Sequence, residues 1–446
     1  MNLFRLLENR AAEDRPVRVV LIGAGKFGSM YLSQARRTPG IHVLAIADLA
    51  PDRARASLVR TGWTMERTAA TSFEDAIRTG ATFVTEDAAA AIAHPSTEVV
   101  IDATGSPAAG IRHVLLCCRH HKHVVMVNVE ADALAGPLLA RRAAEAGIVY
   151  SLAYGDQPAL ICEQVDWARA AGFTVVAAGK GTKFLPAYHA STPETVWGHY
   201  GFTEEMVAKG DFNAQMFNSF LDGTKSGLEM AAVANATGLT PAPGGLEFPP
   251  CGVDDLPRVL RPKSAGGSLH HAGQVEVISS LERDGRPVFR DLRWGVYVTF
   301  AAEHEYVRRC FHEYGIVTDP SGEYASMYKP SHLIGLELGI SVASVAVRGE
   351  ATGCATGFRG DSAATAKRAL KAGETLDGEG GYTVWGKLMP AADSLAKKAL
   401  PIGLAHKVKL VRDVAVGATV TWADVVVDEN AEAVQVRREM EKVFAG

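Results

Sequence analysis

Three glycines, Gly23, Gly25 and Gly28, stand in GxGxxG spacing directly after the β-branched apolar run VRVVLI (17–22) and directly before the helical stretch SMYLSQARR. Strand, glycines and helix in that order form a cradle for a dinucleotide pyrophosphate. The first glycine makes the tight turn, the second lets the backbone approach the phosphates, and the third lets helix and strand pack closely. Lys26 and Phe27 lie inside the loop, where the helix N-terminus supplies free amides and a positive dipole end. A second strand, HVLAIAD, ends in Asp48, placed where an acid holds the adenosine ribose. Alone, Asp48 favours NAD; Arg53 and Arg55, just after it, are cations able to neutralise the extra phosphate of NADP. From these residues the two cofactors stay open.

Further polar groups sit at the ends of apolar runs, where an open parallel sheet presents its ligand crevice. The run EVVIDA (98–103) ends in Thr104-Gly105-Ser106-Pro107, where the nicotinamide half of a cofactor would lie, and HVVMV (123–127) ends in Asn128-Val129-Glu130. The run IVYSLAY is followed by Gly155-Asp156-Gln157-Pro158, and FTVVAAG by Lys180-Gly181-Thr182-Lys183, two cations and a hydroxyl suited to an anion such as a phosphate ester. In Asp222-Gly-Thr-Lys225 the aspartate reads as an N-cap. That puts Lys225 in the first turn, against the helix dipole, at a local cost of roughly 0.3–1 kcal/mol that suggests a functional reason. Asn218 and Ser219 add polar groups just upstream. Lys329 and His332 flank Pro330 and Ser331, the serine reading as the cap of the apolar helix LIGLELGISVASVAV. Glu303-His304-Glu305, His312-Glu313 and the run Arg119 to His123 contain metal-ligand types without the spacing of a metal site, and read as solvated polar faces and a helix end.

The elements that must position these groups read as an α/β chain. A doubly wound parallel sheet spans 1–150, an α+β substrate and dimerisation domain spans 151–347, and a small β-rich domain spans 348–446. A Pro/Gly-rich connection at 240–267 is a lid or interface loop, and the last hundred residues carry a weak internal echo. The length of 446 residues allows about three domains on a soft prior. With 46 Lys and Arg against 50 Asp and Glu, net charge −4, the composition argues against nucleic acid or an anionic membrane as partner, and no run is long enough for a membrane span. Six cysteines without a CxxC pair read as reduced thiols of a cytoplasmic protein.

The GxGxxG opening and the segments ATGSP, GDQP, DGTKSGLEMA and YKPSHLIGLELGIS resemble the homoserine-dehydrogenase-like oxidoreductases with a C-terminal SAF domain, over essentially the whole chain. Within that group the chain is most similar to the 1-deoxy-D-xylulose 5-phosphate reductoisomerase-like branch. The resemblance implies a homodimer that uses NADPH and possesses a Mg2+ or Mn2+ requirement. Its reaction would convert the phosphorylated ketose to 2-C-methyl-D-erythritol 4-phosphate in isoprenoid precursor synthesis. It implies catalytic roles for Asp222 and Lys225, with Lys180 and Lys183 anchoring phosphate and Glu130, Asp156 or Asp222 as carboxylates for a metal. Asn128, Gln157, Thr182, Asn218, Ser219, Lys329 and His332 are then the candidate substrate contacts. Homoserine dehydrogenases have an Asn-Lys step where this chain has Asn128-Val129-Glu130, so the lysine of homoserine oxidation is missing. A homoserine-type dehydrogenase and a nucleotide sensor without turnover are the alternative readings.

Overall fold

The computed structural model of the chain describes residues 2–209 and 212–445. Strands and helices alternate from the start: α1 (Leu3–Ala12), β1 (Val17–Ile22), α2 (Lys26–Ala35), β2 (Ile41–Ala47), α3 (Pro51–Arg60), α4 (Phe73–Thr79), β3 (Phe83–Thr85), α5 (Ala88–Ala93), β4 (Val99–Asp102), α6 (Pro107–His120), β5 (His123–Met126), α7 (Val129–Glu145) and β6 (Tyr150–Leu152). The six strands form one parallel sheet in the order β3-β2-β1-β4-β5-β6. That is the expected doubly wound arrangement, and its order reverses between β1 and β4, where ligands of such sheets bind beyond the carboxyl ends. Every residue of β2 is buried, as a strand covered on both faces requires. Ser72, Asp87, Ser106 and Asn128 each accept a hydrogen bond from the backbone amide three residues on, which fixes where α4, α5, α6 and α7 begin.

The chain continues through α8 (Gln157–Ala170), β7 (Thr174–Thr182), α9 (Val196–Tyr200), α10 (Glu204–Lys209), α11 (Ala214–Leu221), α12 (Thr224–Thr237), α13 (Leu256–Val259), β8 (Gln274–Ser279), β9 (Val296–Ala301), α14 (Glu305–Glu313) and β10 (Tyr324–Lys329). Here β10-β9-β7-β8 is a mixed sheet in which β7 and β8 alone run parallel. After α15 (Gly339–Ala343) come β11 (Gly360–Ala366), β12 (Thr375–Asp377), β13 (Val384–Pro390), α16 (Ala391–Lys397), β14 (His406–Leu410), β15 (Val425–Val426) and α17 (Glu432–Val443). β11 pairs with β13, and β12-β14-β15 form a three-stranded sheet.

Contacts divide the chain into two compact units, residues up to 160 with 332–356, and 161–331 with 357 onward. These differ from the boundaries expected at 150 and 347, for two packing reasons. Leu338, Val342, Ala343 and Val345 join the core of Val19, Leu21 and Ile101, which returns that segment to the first unit. The strands after 357 dock on α12: Thr224 Oγ1 accepts from the Gly386 amide at 2.9 Å, and a Cβ on Gly227 would stand 2.6 Å from the Gly386 carbonyl oxygen. The helix expected to start at Ser331 starts at Gly339. Gly335, at φ 72°, keeps the preceding turn tight against α2, since a Cβ there would lie 2.9 Å from the Phe27 carbonyl oxygen. Among the described residues no helix is long and apolar enough to cross a membrane.

Candidate functional site

The glycine loop of the first unit divides its three glycines by task. Gly23 has φ 94°, and a Cβ on it would stand 2.8 Å from the Ala103 carbonyl oxygen; one on Gly28 would stand 2.5 Å from that of Gly23. A Cβ on Gly25 would meet nothing within 4 Å. The fold therefore requires the outer two, while the middle one opens a space beside the N-terminus of α2, whose N-cap is Gly25 itself with no side-chain cap. This is the geometry a pyrophosphate fits. Gly25 and Lys26 are exposed, and Phe27 is half-buried.

Asp48 has its partners within the fold. It is buried, with Oδ2 accepting from the Ala24 amide (2.7 Å) and Oδ1 from the Ala50 amide (2.8 Å) and from Arg53 Nη2 (3.2 Å). The carboxylate thus braces the glycine loop, and its charge is met by a guanidinium that remains 66% exposed. Arg55 pairs instead with Asp52, at 3.2 Å on the surface.

At the end of β4 the structure reveals a group the sequence reading passed over. Asp102 is fully buried; Oδ1 accepts from the Thr104 amide (3.1 Å) and hydroxyl (2.8 Å), and Oδ2 lies 2.5 Å from His113 Nδ1. It shapes the Thr104-Gly105 turn, in which Gly105 is exposed with φ 66°. The rule that singled out Asn128, a polar residue closing a parallel strand, applies equally to Asp102 and was the available signal. Asn128 itself is 1% exposed and committed internally, donating to Asp102, Thr104 and the Ser106 carbonyl (2.8 Å) while capping α7. Its expected substrate contact is corrected to a structural role. Glu130 is half-buried in the first turn of α7; Asp156 is buried and accepts from the Gln157 amide (3.0 Å), with Gln157 half-buried at the start of α8.

In the second unit several expected contacts are already spent. Lys180 and Glu229 form a buried ion pair between β7 and α12. An ammonium neutralised by its own buried carboxylate is not a phosphate anchor, so the anion-binding expectation for Lys180 is withdrawn. Asp222 is not the N-cap of α12; that position is Gly223, at φ 93°. Asp222 is fully buried, accepts from the Thr224 amide (2.8 Å) and pairs at 2.7 Å with Lys367, whose ammonium also donates to the Ser191 and Gly381 carbonyls. Burial raises the Asp222 carboxyl above its ordinary value and Lys367 opposes the rise. This environment gives Asp222 the work of fixing the α11–α12 junction instead of reaching substrate. Lys225 is half-buried in the first turn of α12, as read, but the acid four residues on is held by Lys180. Asn218 and Ser219 are corrected as well. Asn218 accepts from Ser191 Oγ (2.6 Å) and donates to the Ser191 and Gly380 carbonyls, and Ser219 Oγ donates to the Met216 carbonyl within its own helix.

Lys183 follows a different course. Just past β7, where Thr182 is half-buried, its Nζ donates to the His199 carbonyl (2.6 Å) and lies 5.6 Å from the centre of the Tyr200 ring. Arg293 lies 5.9 Å from the same ring, and among the described residues no carboxylate pairs with either cation. Burial and Arg293 both lower the Lys183 ammonium, burial and Lys183 lower His199, and burial pushes the Tyr200 hydroxyl up to about 12. Arg293 was missed because it lies in a turn after an unremarkable segment, more than a hundred residues from its partner. Lys329 is half-buried at the end of β10 in the second unit, and His332 is half-buried in the first.

Among the described residues no three His, Cys, Asp or Glu side chains converge on one point. His304 caps α14 and Glu303 accepts from Thr174, in keeping with polar faces.

Residues 155–338 match the family model described as "Oxidoreductase DRL, catalytic domain". No curated protein matches the chain. Among solved structures it is similar to a putative oxidoreductase from Magnetospirillum magnetotacticum (22% identity, 37% of this chain and 48% of that one, TM-score 0.26). It is also similar to an oxidoreductase from Agrobacterium radiobacter in complex with NAD+, L-tartaric acid and magnesium (17%, 37% and 44%, TM-score 0.27). A third is 1-deoxy-D-xylulose 5-phosphate reductoisomerase from Zymomonas mobilis in complex with NADPH (17%, 49% and 57%, TM-score 0.34). The aligned part spans about half the length of these structures. The six-stranded parallel sheet is of the Rossmann type, and the segment 155–338 is similar to an oxidoreductase catalytic domain.

Proposed function

We propose that this protein is an oxidoreductase, an NADPH-dependent reductoisomerase that converts 1-deoxy-D-xylulose 5-phosphate to 2-C-methyl-D-erythritol 4-phosphate. The observation that carries the reading is the pair Lys183 and Arg293, two cations set against one Tyr200 ring with no carboxylate among the described residues to neutralise them. Their mutual repulsion is relieved by an anion, and a phosphate ester supplies charge and acceptors for both. Lys225, in the first turn of α12, is the candidate to protonate or polarise the reacting carbonyl oxygen. The exposed Arg53 beside a neutralised Asp48 favours NADPH, because the extra phosphate meets a guanidinium and a carboxylate whose oxygens are already occupied. The nicotinamide, when bound, supplies hydride to the rearranged aldehyde. The match of residues 155–338 to the DRL catalytic domain supports the oxidoreductase part of this reading, and the segments GDQP and DGTKSGLEMA carry the resemblance to the reductoisomerase-like branch.

The test is NADPH oxidation by the purified full chain, with 1-deoxy-D-xylulose 5-phosphate and aspartate semialdehyde offered in parallel. Oxidation with the phosphorylated ketose is expected, and turnover of aspartate semialdehyde alone overturns the proposal.

A further inference from the structure

A cavity of about 260 Å³ lies in the second unit between His189, Gly223, the 244–248 segment and β13. Apart from Gly223, none of its lining comes from the elements that carry the proposed reaction. One wall is aromatic: the His189 ring stacks on Trp385 with centroids 3.9 Å apart and planes 19° apart, and Phe248 stands 6.1 Å from His189. The rest of the lining supplies one cation and one acceptor. Lys387 has no carboxylate partner among the described residues. His189 Nδ1 is 2.7 Å from the Asp222 carbonyl oxygen, which can only accept, so the proton sits on Nδ1. Burial, with Lys387 and Lys367 nearby, lowers the imidazole and keeps it neutral, which leaves Nε2 as a hydrogen-bond acceptor. Gly244, also in the lining, is exposed, and a Cβ on it would meet nothing within 4 Å.

An aromatic wall, a lone ammonium and a neutral imidazole acceptor select a flat ring with an acid at one end and a hydrogen-bond donor elsewhere. We propose that this cavity is a second ligand site, for a single-ring aromatic acid bearing a hydroxyl or amino donor. It is independent of the phosphate anchor at Lys183 and Arg293. Because Gly223 and the Asp222 carbonyl belong to its edge, occupancy is felt at the start of α12, the helix that carries Lys225.

The probe is 4-hydroxybenzoate, titrated calorimetrically into the full-length protein, with p-cresol as the neutral control. Saturable binding is expected, weaker by at least about tenfold for p-cresol and for Lys387→Met, and abolished by Gly244→Leu, whose side chain enters the open space without backbone strain. Lys183→Met should bind the probe as the unaltered protein does. If Lys387→Met fails to fold, Gly244→Leu decides the matter. Absence of saturable binding, binding that survives Gly244→Leu, or binding lost in Lys183→Met overturns the proposal.

Discussion

The glycine loop of the first unit and the lysine-bearing elements of the second were both candidates by sequence, yet they fare differently once folded. In the loop, Gly23, Gly25 and Gly28 lie within six residues of one another, and each task depends on backbone geometry that spacing encodes. In the second unit the tasks of Lys180, Asp222 and Asn218 are set by partners far along the chain: Glu229, Lys367, and Ser191 with Gly380. Charge placed at a strand or helix end is therefore weak evidence of ligand contact until its intramolecular partner is known. Lys183 and Arg293 gain weight because, although Lys183 donates to the His199 carbonyl, no carboxylate among the described residues neutralises either cation.

The largest effect should come from breaking a buried pair. Lys367→Met leaves the Asp222 carboxylate buried and uncompensated, and a loss of about 3–5 kcal/mol of unfolding free energy is expected in urea denaturation. The double variant Asp222→Asn, Lys367→Met should lose less than the two single changes added together. Additive losses would mean the pair is not the unit described.

Next comes a pH effect at Glu276, buried in the middle of β8, where its carboxylate accepts from the Glu247, Phe248 and Val277 amides. Burial pushes it up to about 7 from an ordinary value of 4.5. The folded state thus holds this proton more tightly than the unfolded state. Its contribution to stability is full below the unfolded value and falls as pH rises from 4.5 to 7, by about 3 kcal/mol. Urea unfolding of Glu276→Gln should show a pH dependence flatter by that amount over this window. An equal dependence in both proteins would contradict the burial argument.

The first unit offers the converse experiment. Gly25→Val places atoms in open space, so the melting temperature should stay close to that of the unaltered protein while the NADPH dissociation constant rises roughly 100-fold, the equivalent of about 2.7 kcal/mol. Gly28→Val, whose Cβ meets the Gly23 carbonyl oxygen, should lose stability as well. A smaller effect is expected at Arg53→Ala, with about tenfold weaker NADPH binding, some 1.4 kcal/mol, and NADH binding unchanged. Equal losses for both cofactors would place Arg53 elsewhere than at the extra phosphate.

What was legible in the chain follows the range of the interaction that determines it. The glycine loop depends on residues a few positions apart and the parallel sheet on strongly apolar runs, and both could be read; the caps at Ser106 and Asn128 went unread, and those expected at Asp222 and Ser331 did not form. The return of 332–356 to the first unit could not, because an apolar helix does not name the core it will join, and Leu338 and Val342 found theirs beside Val19 and Ile101. For the candidate site, Lys183 and Lys225 were singled out by position, while Arg293 and Lys367 were not, since nothing adjacent to either marks it.

The most direct test of the account compares NADPH oxidation by the full chain with 1-deoxy-D-xylulose 5-phosphate and with unphosphorylated 1-deoxy-D-xylulose, each with and without Lys183→Met. The account predicts that the phosphorylated ketose is strongly preferred and that Lys183→Met raises its KM by about tenfold or more, an effect of about 1.4 kcal/mol or more, while leaving the unphosphorylated substrate unaffected. Equal use of the two substrates, or an equal loss on both in the variant, would contradict it.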